Sequence, residues 1–231
     1  MSAHENQPAY LKPTGILPIH AGLLLLVFLV ALGVRLLFVN PDNEDVKLFR
    51  DEQEYVQYAH NLIHHQSFSK DTSPSNPIPD SYRSPGYPLW IALSMLTGGK
   101  NGFLSVLFYS QAVLSALLAP LTFLTGILFV PVPAALAAAL LTALSPHLIT
   151  TTPCVLSETL FAFLLLAAVC TYLYAHVRGS TLLLIFSATL FGFAYLANEI
   201  AFFIPFLFAA IAMVCRRFQW KPIAGSRPSR R

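Results

Sequence analysis

Long apolar runs set the first limit on what this chain can fold into. The run from Ile19 to Val39 is long enough to cross the hydrocarbon core of a bilayer, which takes about 20 residues of helix. Across the chain, 55% of the 231 residues are apolar and 11% are charged, whereas soluble domains carry roughly 25% charged residues. We therefore predict an all-α integral membrane protein, a single polytopic helical bundle that occupies residues 1–231.

The apolar runs predict about six membrane spans. The last run, Leu182 to Val214, exceeds one crossing by about half, so the polar pair Asn198-Glu199 is expected to form a turn between two short spans. With six spans, Lys12, Arg178 and the basic tail 215–231 share one side, which the positive-inside tendency makes cytoplasmic. We expect a multi-pass protein of the plasma membrane, the inner membrane of a bacterium. The other runs are Phe103–Phe129, Ala134–Leu144 and Val155–Tyr174.

The first outer loop, residues 40–101, holds most of the groups that could do chemistry. Its segment Arg50–His65 has the periodicity of an amphipathic helix, with Asp51 and Tyr55 on one stripe. Asp51 and Glu52 point about 100° apart on a helix, so one of them can face inward, and the stripe favours Asp51. Acids at a helix start also suit the helix dipole, which gives both residues a structural explanation.

A second short helix is predicted from Pro85 to Leu96, lying at the membrane interface. Six spans also gather the polar side chains at the outer half of the membrane. The members of this group are Arg35, Asp51, Glu52, Arg83, His147, Glu158, Asn198 and Glu199.

Two charged residues within apolar runs need partners. A charge at mid-bilayer costs roughly 2.5–3.5 kcal/mol, so we expect Glu158, about one turn into the fourth span, to face a protein cavity or a cation. The alternative is a solvated acid at the interface. Arg35, about one turn from the end of the first span, can snorkel to the headgroups or pair with an acid of the following loop.

Other patterns indicate packing or solvation. His60 and His64 have the i, i+4 spacing of a helical metal site, but they lie on the polar face without a third ligand, which favours a solvated face. The basic tail indicates orientation and contact with anionic membrane lipids, and nothing in the sequence suggests a nucleic-acid partner. The three cysteines lie in or beside apolar runs and are expected to pack there.

An ordered set of short motifs resembles the opening half of the GT-C membrane glycosyltransferases. The likeness is greatest to the polyprenyl- or dolichyl-phosphate-mannose protein mannosyltransferases and the aminoarabinose lipid A transferases, and it extends from about Leu17 to Val214. The chain is thus expected to correspond to an incomplete GT-C module. The motifs are Asp51-Glu52-x-x-Tyr55-x-x-x-Ala59-x-Asn61-Leu62 with Phe68-Ser69, Arg83-x-Pro85-Gly86-Tyr87-Pro88-Leu89, Leu156-Ser157-Glu158-Thr159-Leu160-Phe161, and Gly192-Phe193-Ala194-Tyr195-Leu196.

This resemblance implies an inverting enzyme that takes a sugar from a polyprenyl phosphate and passes it to a lipid, glycan or protein acceptor at the outer face. Asp51 matches the family's first-loop acid, which would act as general base or help to organise a divalent metal, and the cofactor is otherwise left open. Arg83 would contact the leaving phosphate. Where the family often has Thr followed by Lys or Arg, this chain has Ala197-Asn198-Glu199. The substrate contacts expected are Glu52, Tyr55, Tyr82, Arg83, Glu158, Asn198 and Glu199.

Two other classes of function stay open. One is a non-catalytic or truncated GT-C-like subunit that binds polyprenyl lipid or a partner protein. The other is a small transporter, which the pattern favours less because the polar groups gather at one face instead of lining the midplane.

Overall fold

The computed structural model describes residues 18–39, 48–73, 76–204, 206, 207, 210 and 213. Within these ranges the chain is helical and has no strand. It forms two compact units, Met1–Asn198 and Glu199–Arg231, and the second contains a short 3-10 helix, Glu199–Phe203. The described α-helices of the first unit are α1 (Pro18–Phe38), α2 (Arg50–His65), α3 (Gly86–Gly126), α4 (Val132–Ala143), α5 (Pro146–Thr150), α6 (Glu158–Arg178) and α7 (Thr181–Ala197).

Three helical segments are long and apolar enough to cross a membrane: His20–Phe38, Asn101–Gly126 and Glu158–Arg178. The helices α4 and α7 are apolar but shorter, about 18 and 25 Å at 1.5 Å per residue, against a hydrocarbon core of about 30 Å. The chain is therefore an all-helical membrane protein with three candidate spans, and the count of six stays a prediction. Lys12, residues 40–47 of the outer loop, most of 205–214 and the tail 215–231 lie outside the described residues.

The outer-loop helices form where the sequence predicts them. The helix α2 has the predicted bounds, and its first turn is closed by a capping box in which the Phe49 N–H donates to the Glu52 carboxylate at 2.8 Å. The long helix α3 is kinked at Gly99, which has φ 65° and ψ −174°, a backbone conformation that glycine adopts without steric cost. This kink separates the short helix predicted from Pro85 from the span predicted from Phe103.

Asn61 is a buried polar residue of α2. It is 1% exposed, and its amide nitrogen donates to the carbonyls of Ser69 at 2.9 Å and Asp71 at 2.8 Å. The loop after α2 folds back along the helix, so the Asn61 side chain satisfies loop carbonyls. Such buried carbonyls must be paired wherever a loop is covered.

The alanine-rich helix α4 packs on α1 and α3 through small residues. Ala135, Ala139 and Ala143 are buried along one stripe, together with Val27 of α1 and Phe123 of α3. Small side chains let helix backbones approach closely in the apolar phase.

Arg35 differs from both sequence expectations, because it is fully buried and its partners are neutral. Its Nε donates to Ser115 Oγ at 2.7 Å, and its Nη1 donates to the carbonyls of Ala31 at 2.9 Å and Ala143 at 2.8 Å. The Ala143 carbonyl belongs to the last turn of α4, which has no partner within its own helix. Arg35 therefore caps α4 from α1, and the negative end of the α4 dipole suits its charge.

The chain between α4 and α6 is interrupted, and α3 supports it. Ser115 donates to the Leu148 carbonyl at 3.2 Å, and the Gln111 amide donates to the carbonyls of Thr152 at 2.9 Å and Cys154 at 3.0 Å. Buried backbone outside a helix needs such partners, because neither its own helix nor water can supply them.

Candidate functional site

Four segments far apart in the sequence meet at one end of the first unit. They are the first turn of α2, the start of α3, the residues 152–158 before α6, and the end of α7. The ring centroids of Tyr55 and Tyr87 lie 5.1 Å apart in an edge-to-face contact, which joins α2 to α3. Val155 and Ala197 belong to the same buried cluster as these tyrosines. The motifs that carried the family resemblance are thus neighbours in space.

Glu52, and not Asp51, is the acid that faces inward. Its carboxylate accepts hydrogen bonds from the backbone N–H groups of Phe49 at 2.8 Å and Val155 at 2.9 Å, and the residue is 7% exposed. The capping box turns this carboxylate back over the helix start, and the partly unwound segment before α6 offers it a free N–H. The sequence stripe predicted the opposite choice and is wrong here, because it ignores the cap.

Asp51 lies at the surface in an ion pair. Its Oδ1 accepts a hydrogen bond from Arg83 Nη2 at 2.8 Å, and its side chain is 62% exposed. Glu54, one turn further on, accepts from Arg83 Nε at 3.0 Å and Nη2 at 2.6 Å. Asp51 and Arg83, both expected to be site residues, are therefore in direct contact at the surface of the bundle.

Arg83 is held on several sides. Its guanidinium lies 5.0 Å from the ring centroid of Tyr55 and 5.2 Å from that of Tyr82. Burial alone would lower the pKa of Arg83, but the hydrogen bond with Glu54 and the charge of Asp51 raise it above its usual value, so the group stays cationic. Both N–H groups of Nη1 lack a partner among the described residues, which leaves half of the guanidinium fork open to a ligand.

Tyr82 is an exposed platform beside this cluster. Its ring is 62% exposed, and the Lys70 ammonium lies 3.8 Å from the ring centroid. Lys70 and Arg83 therefore both contact this ring. A cationic, aromatic surface of this kind can contact a planar or anionic group from solvent.

Tyr87 and Gln111 form the buried floor under the cluster. The Tyr87 hydroxyl donates to Gln111 Oε1 at 3.0 Å, and the Gln111 amide holds the carbonyls of Thr152 and Cys154. Burial raises the pKa of Tyr87 well above its usual value, and the nearby Glu158 charge adds to this, so the hydroxyl stays a donor. Burial, with the nearby charge of Glu52, also raises the pKa of the Cys154 thiol, which is therefore kept neutral.

Gly86 explains why the α3 motif needs a glycine. A Cβ at this position would lie 2.6 Å from the carbonyl oxygen of Leu196, so only glycine lets the start of α3 meet the end of α7. Beside this contact the Asn198 amide nitrogen donates to Ser157 Oγ at 3.3 Å, as expected if the two motifs share a site. Glu199 begins the 3-10 helix of the second unit.

Glu158 lies at the first residue of a candidate span, and not one turn inside it. It is the first residue of α6 and is exposed, because the chain leaves the helical conformation before Ser157 and α6 starts three residues later than the apolar run. Its charge suits the positive end of the α6 dipole. No cation of the described residues is paired with it, and the alternative of a solvated acid fits this geometry.

The residues near Asp51 do not make a metal site. Across the described parts of the chain, no group of three or more His, Cys, Asp or Glu side chains could hold an ion. The Asp51 and Glu54 carboxylates both bind the Arg83 guanidinium, which therefore occupies the position between them that a metal ion would need. No step proposed below is routed through a metal.

Two functional neighbours were missed by the sequence analysis. Glu54 lies one turn from Asp51 on α2, a spacing that puts two carboxylates within reach of one arginine. Gln111 is the one amide side chain in the apolar run Phe103–Phe129. A polar side chain in a span needs a polar partner, and that signal could have identified it.

These observations define the class: an all-helical membrane protein with a charged, aromatic cluster at one end of its first unit. Comparison of the chain with protein-family models, with curated proteins and with solved structures finds no match. The relation to the GT-C enzymes therefore stays a proposal.

The different positions of the two acids predict different effects on stability. We expect Glu52→Gln to destabilise the fold by about 1–3 kcal/mol, since one buried N–H loses its acceptor and meets an amide donor instead. Asp51→Asn removes only an exposed ion pair and should cost about 1 kcal/mol or less. Unfolding of both variants in the same detergent, followed by circular dichroism, measures the difference. A larger loss for Asp51→Asn than for Glu52→Gln would show that the inward acid has been wrongly assigned.

Proposed function

We propose that this protein transfers a sugar from a polyprenyl-phosphate donor to a lipid, glycan or protein acceptor at the outer face of the membrane, with inversion. One observation carries the proposal: the four motifs of the family resemblance, which span Asp51 to Leu196, meet in one cluster. A chance likeness of four short motifs would not require their side chains to be neighbours. The contacts Asp51–Arg83 and Gly86–Leu196 join motif residues directly, and the contacts Glu52–Val155 and Ser157–Asn198 join a motif residue to one just outside another motif.

In the proposed reaction Asp51 is the general base. It takes the proton of the acceptor hydroxyl as the acceptor oxygen forms a bond to the anomeric carbon, while the bond from that carbon to the phosphate oxygen breaks. The exposure of the Asp51 carboxylate leaves one of its oxygens free to reach an acceptor from the outer side. The phosphate departs with the electron pair of the broken bond.

Arg83 is proposed to bind the departing phosphate through Nη1. Its Nε and Nη2 are committed to Glu54 and Asp51, whereas both N–H groups of Nη1 have no partner among the described residues. An arginine fork matches two phosphate oxygens better than a lysine does. Inversion requires the acceptor oxygen and the departing phosphate oxygen to lie on opposite sides of the anomeric carbon, so the phosphate would bind Nη1, away from the Asp51 carboxylate on Nη2.

The proposed topology has six spans, both termini in the cytoplasm and the cluster outside. The candidate spans α1, the second part of α3, and α6 supply three of them, and the motivation for the rest is the length of Leu182–Val214 and the placement of the cations. This arrangement puts a multi-pass protein in the plasma membrane with its reactive face outward.

Cysteine labelling tests this topology. On a background without native cysteines, a membrane-impermeant maleimide should modify Thr72→Cys in sealed cells and leave Ser226→Cys unmodified until the cells are opened. The α2–α3 loop is outside in the proposal, whereas the tail is inside. Equal labelling of both positions in sealed cells would leave an odd number of spans as the better account.

Activity of Asp51→Asn tests the proposed base. Transfer from a polyprenyl-phosphate sugar should fall by roughly 10² to 10⁴, the usual range for loss of a general base, while expression and donor binding are kept. Radiolabelled sugar appearing on acceptor measures the rate, and donor retained on the protein measures binding.

Glu54→Gln is the matched control, because it removes the same charge from the same arginine without removing the base. We expect a loss well below that of Asp51→Asn. Equal losses would indicate a general electrostatic effect of the cluster, and full activity of Asp51→Asn would contradict the assignment. If Asp51 serves only to stabilise the start of α2, Asp51→Asn should change the stability of the protein slightly and leave its activity unchanged, since Asn caps a helix nearly as well as Asp.

A second function is favoured by the two carboxylates that already occupy Arg83. Such a closed ion cluster suits a non-catalytic subunit that binds polyprenyl lipid or a partner protein. Wild-type chain that binds the donor yet transfers sugar only with a partner or an extended chain would favour this function. Transfer by the chain alone would exclude it.

A further inference from the structure

We propose that His60 and His64, near the C-terminal end of α2, form a two-histidine site for a divalent transition-metal ion, either Cu²⁺, Ni²⁺ or Zn²⁺. The two rings lie side by side, with centroids 4.4 Å apart and planes inclined by 44°. Residues four apart on a helix face the same way, so one ion can bridge a nitrogen of each ring. Metal-to-imidazole bonds of about 2.0–2.1 Å fit this ring separation.

Both rings are free to bind. His60 and His64 are exposed, and their ring nitrogens have no hydrogen-bond partner in the part of the chain that the structure describes. A metal ligand must present an unprotonated nitrogen, and no described residue is bonded to the ring nitrogens here. The sequence analysis favoured a solvated face, and exposure alone agrees with that, but paired and uncommitted rings are also what an ion needs.

The chemistry of the pair selects the class of ion. Imidazole suits Cu²⁺, Ni²⁺ and Zn²⁺, whereas Mg²⁺ and Ca²⁺ prefer oxygen ligands. The described residues offer no third His, Cys, Asp or Glu ligand at this place. Water or a group from another molecule therefore completes the coordination, and the site is open and of modest affinity.

The helix itself favours a cation at this end. The pair belongs to the last part of α2, where the final carbonyls have no partner within the helix and carry the negative end of the dipole. His65, whose ring centroid lies 6.2 Å from that of His60, is not at the i, i+4 position and is assigned no ligand role. The site also differs from any ion at Asp51, which is nine residues, or about 13–14 Å of helix, away from His60.

Metal binding by the full chain, purified in detergent without a histidine tag, tests the proposal. One equivalent of Cu²⁺ should give an electron paramagnetic resonance spectrum with hyperfine structure from two imidazole nitrogens, and calorimetry with Ni²⁺ should give one ion per chain. His60→Ala and His64→Ala should each lower affinity by roughly tenfold or more, because the second ligand no longer acts at high effective concentration. Both variants should keep the unfolding midpoint of the metal-free protein.

Two matched variants make the test decisive. His65→Ala and His176→Ala remove other histidines and should leave affinity unchanged, so an equal loss in either would overturn the assigned pair. Unchanged affinity in both His60→Ala and His64→Ala would overturn the site, and neither result depends on sugar transfer.

Discussion

The described fold depends on hydrogen-bond partners for the backbone N–H and C=O groups between α4 and α6, where the helix is interrupted. Backbone groups that leave a helix and are buried inside the bundle lose their contact with water, so each needs a protein partner. Three helices supply those partners. Arg35 of α1 donates to the Ala143 carbonyl at the end of α4, and Gln111 of α3 donates to the Thr152 and Cys154 carbonyls. Glu52 of α2 accepts a hydrogen bond from the Val155 N–H. An unpaired buried group costs about 1–3 kcal/mol. These side chains therefore fix the positions of the helices relative to the break.

The same contacts build the candidate site. Because Glu52 is committed to Val155, the neighbouring Asp51 is turned outward, where Arg83 reaches it. The Tyr55–Tyr87 ring contact keeps the start of α3 beside α2, the Tyr87 hydroxyl donates to Gln111 further along α3, and the absence of a side chain at Gly86 lets α7 close against this start. A buried acid directed inward and an exposed acid directed outward thus follow from one cap. This division explains how two adjacent carboxylates can have different roles.

The sequence predicts the elements of this molecule better than it predicts their contacts. The amphipathic period places α2, and the polar pair Asn198-Glu199 marks the end of α7, because these features depend on local chain chemistry. The choice between Asp51 and Glu52 fails, since it is decided by a backbone N–H about 100 residues away. The expectations for Glu158 and Arg35 fail for a similar reason, because an unwound segment shifts the start of α6 and the end of α4 offers free carbonyls. The contact of Ser157 with Asn198 joins residues far apart in the sequence, and no local pattern predicts it.

Hydrogen exchange at Thr152, Cys154 and Val155 tests the central claim most directly. The N–H groups of Thr152 and Cys154 donate to backbone carbonyls, Gln111 holds the carbonyls of the same two residues, and the Val155 N–H donates to Glu52. These three amides should therefore exchange slowly in the wild-type protein although they lie outside regular helix. Gln111→Leu should speed their exchange by roughly tenfold or more, a loss of about 1.4 kcal/mol of local stability, while the middle of α6 stays protected. Gln53→Leu, which alters an exposed amide on α2, should leave the segment unchanged. Fast exchange in the wild type, or the same exchange with and without Gln111, would contradict the account.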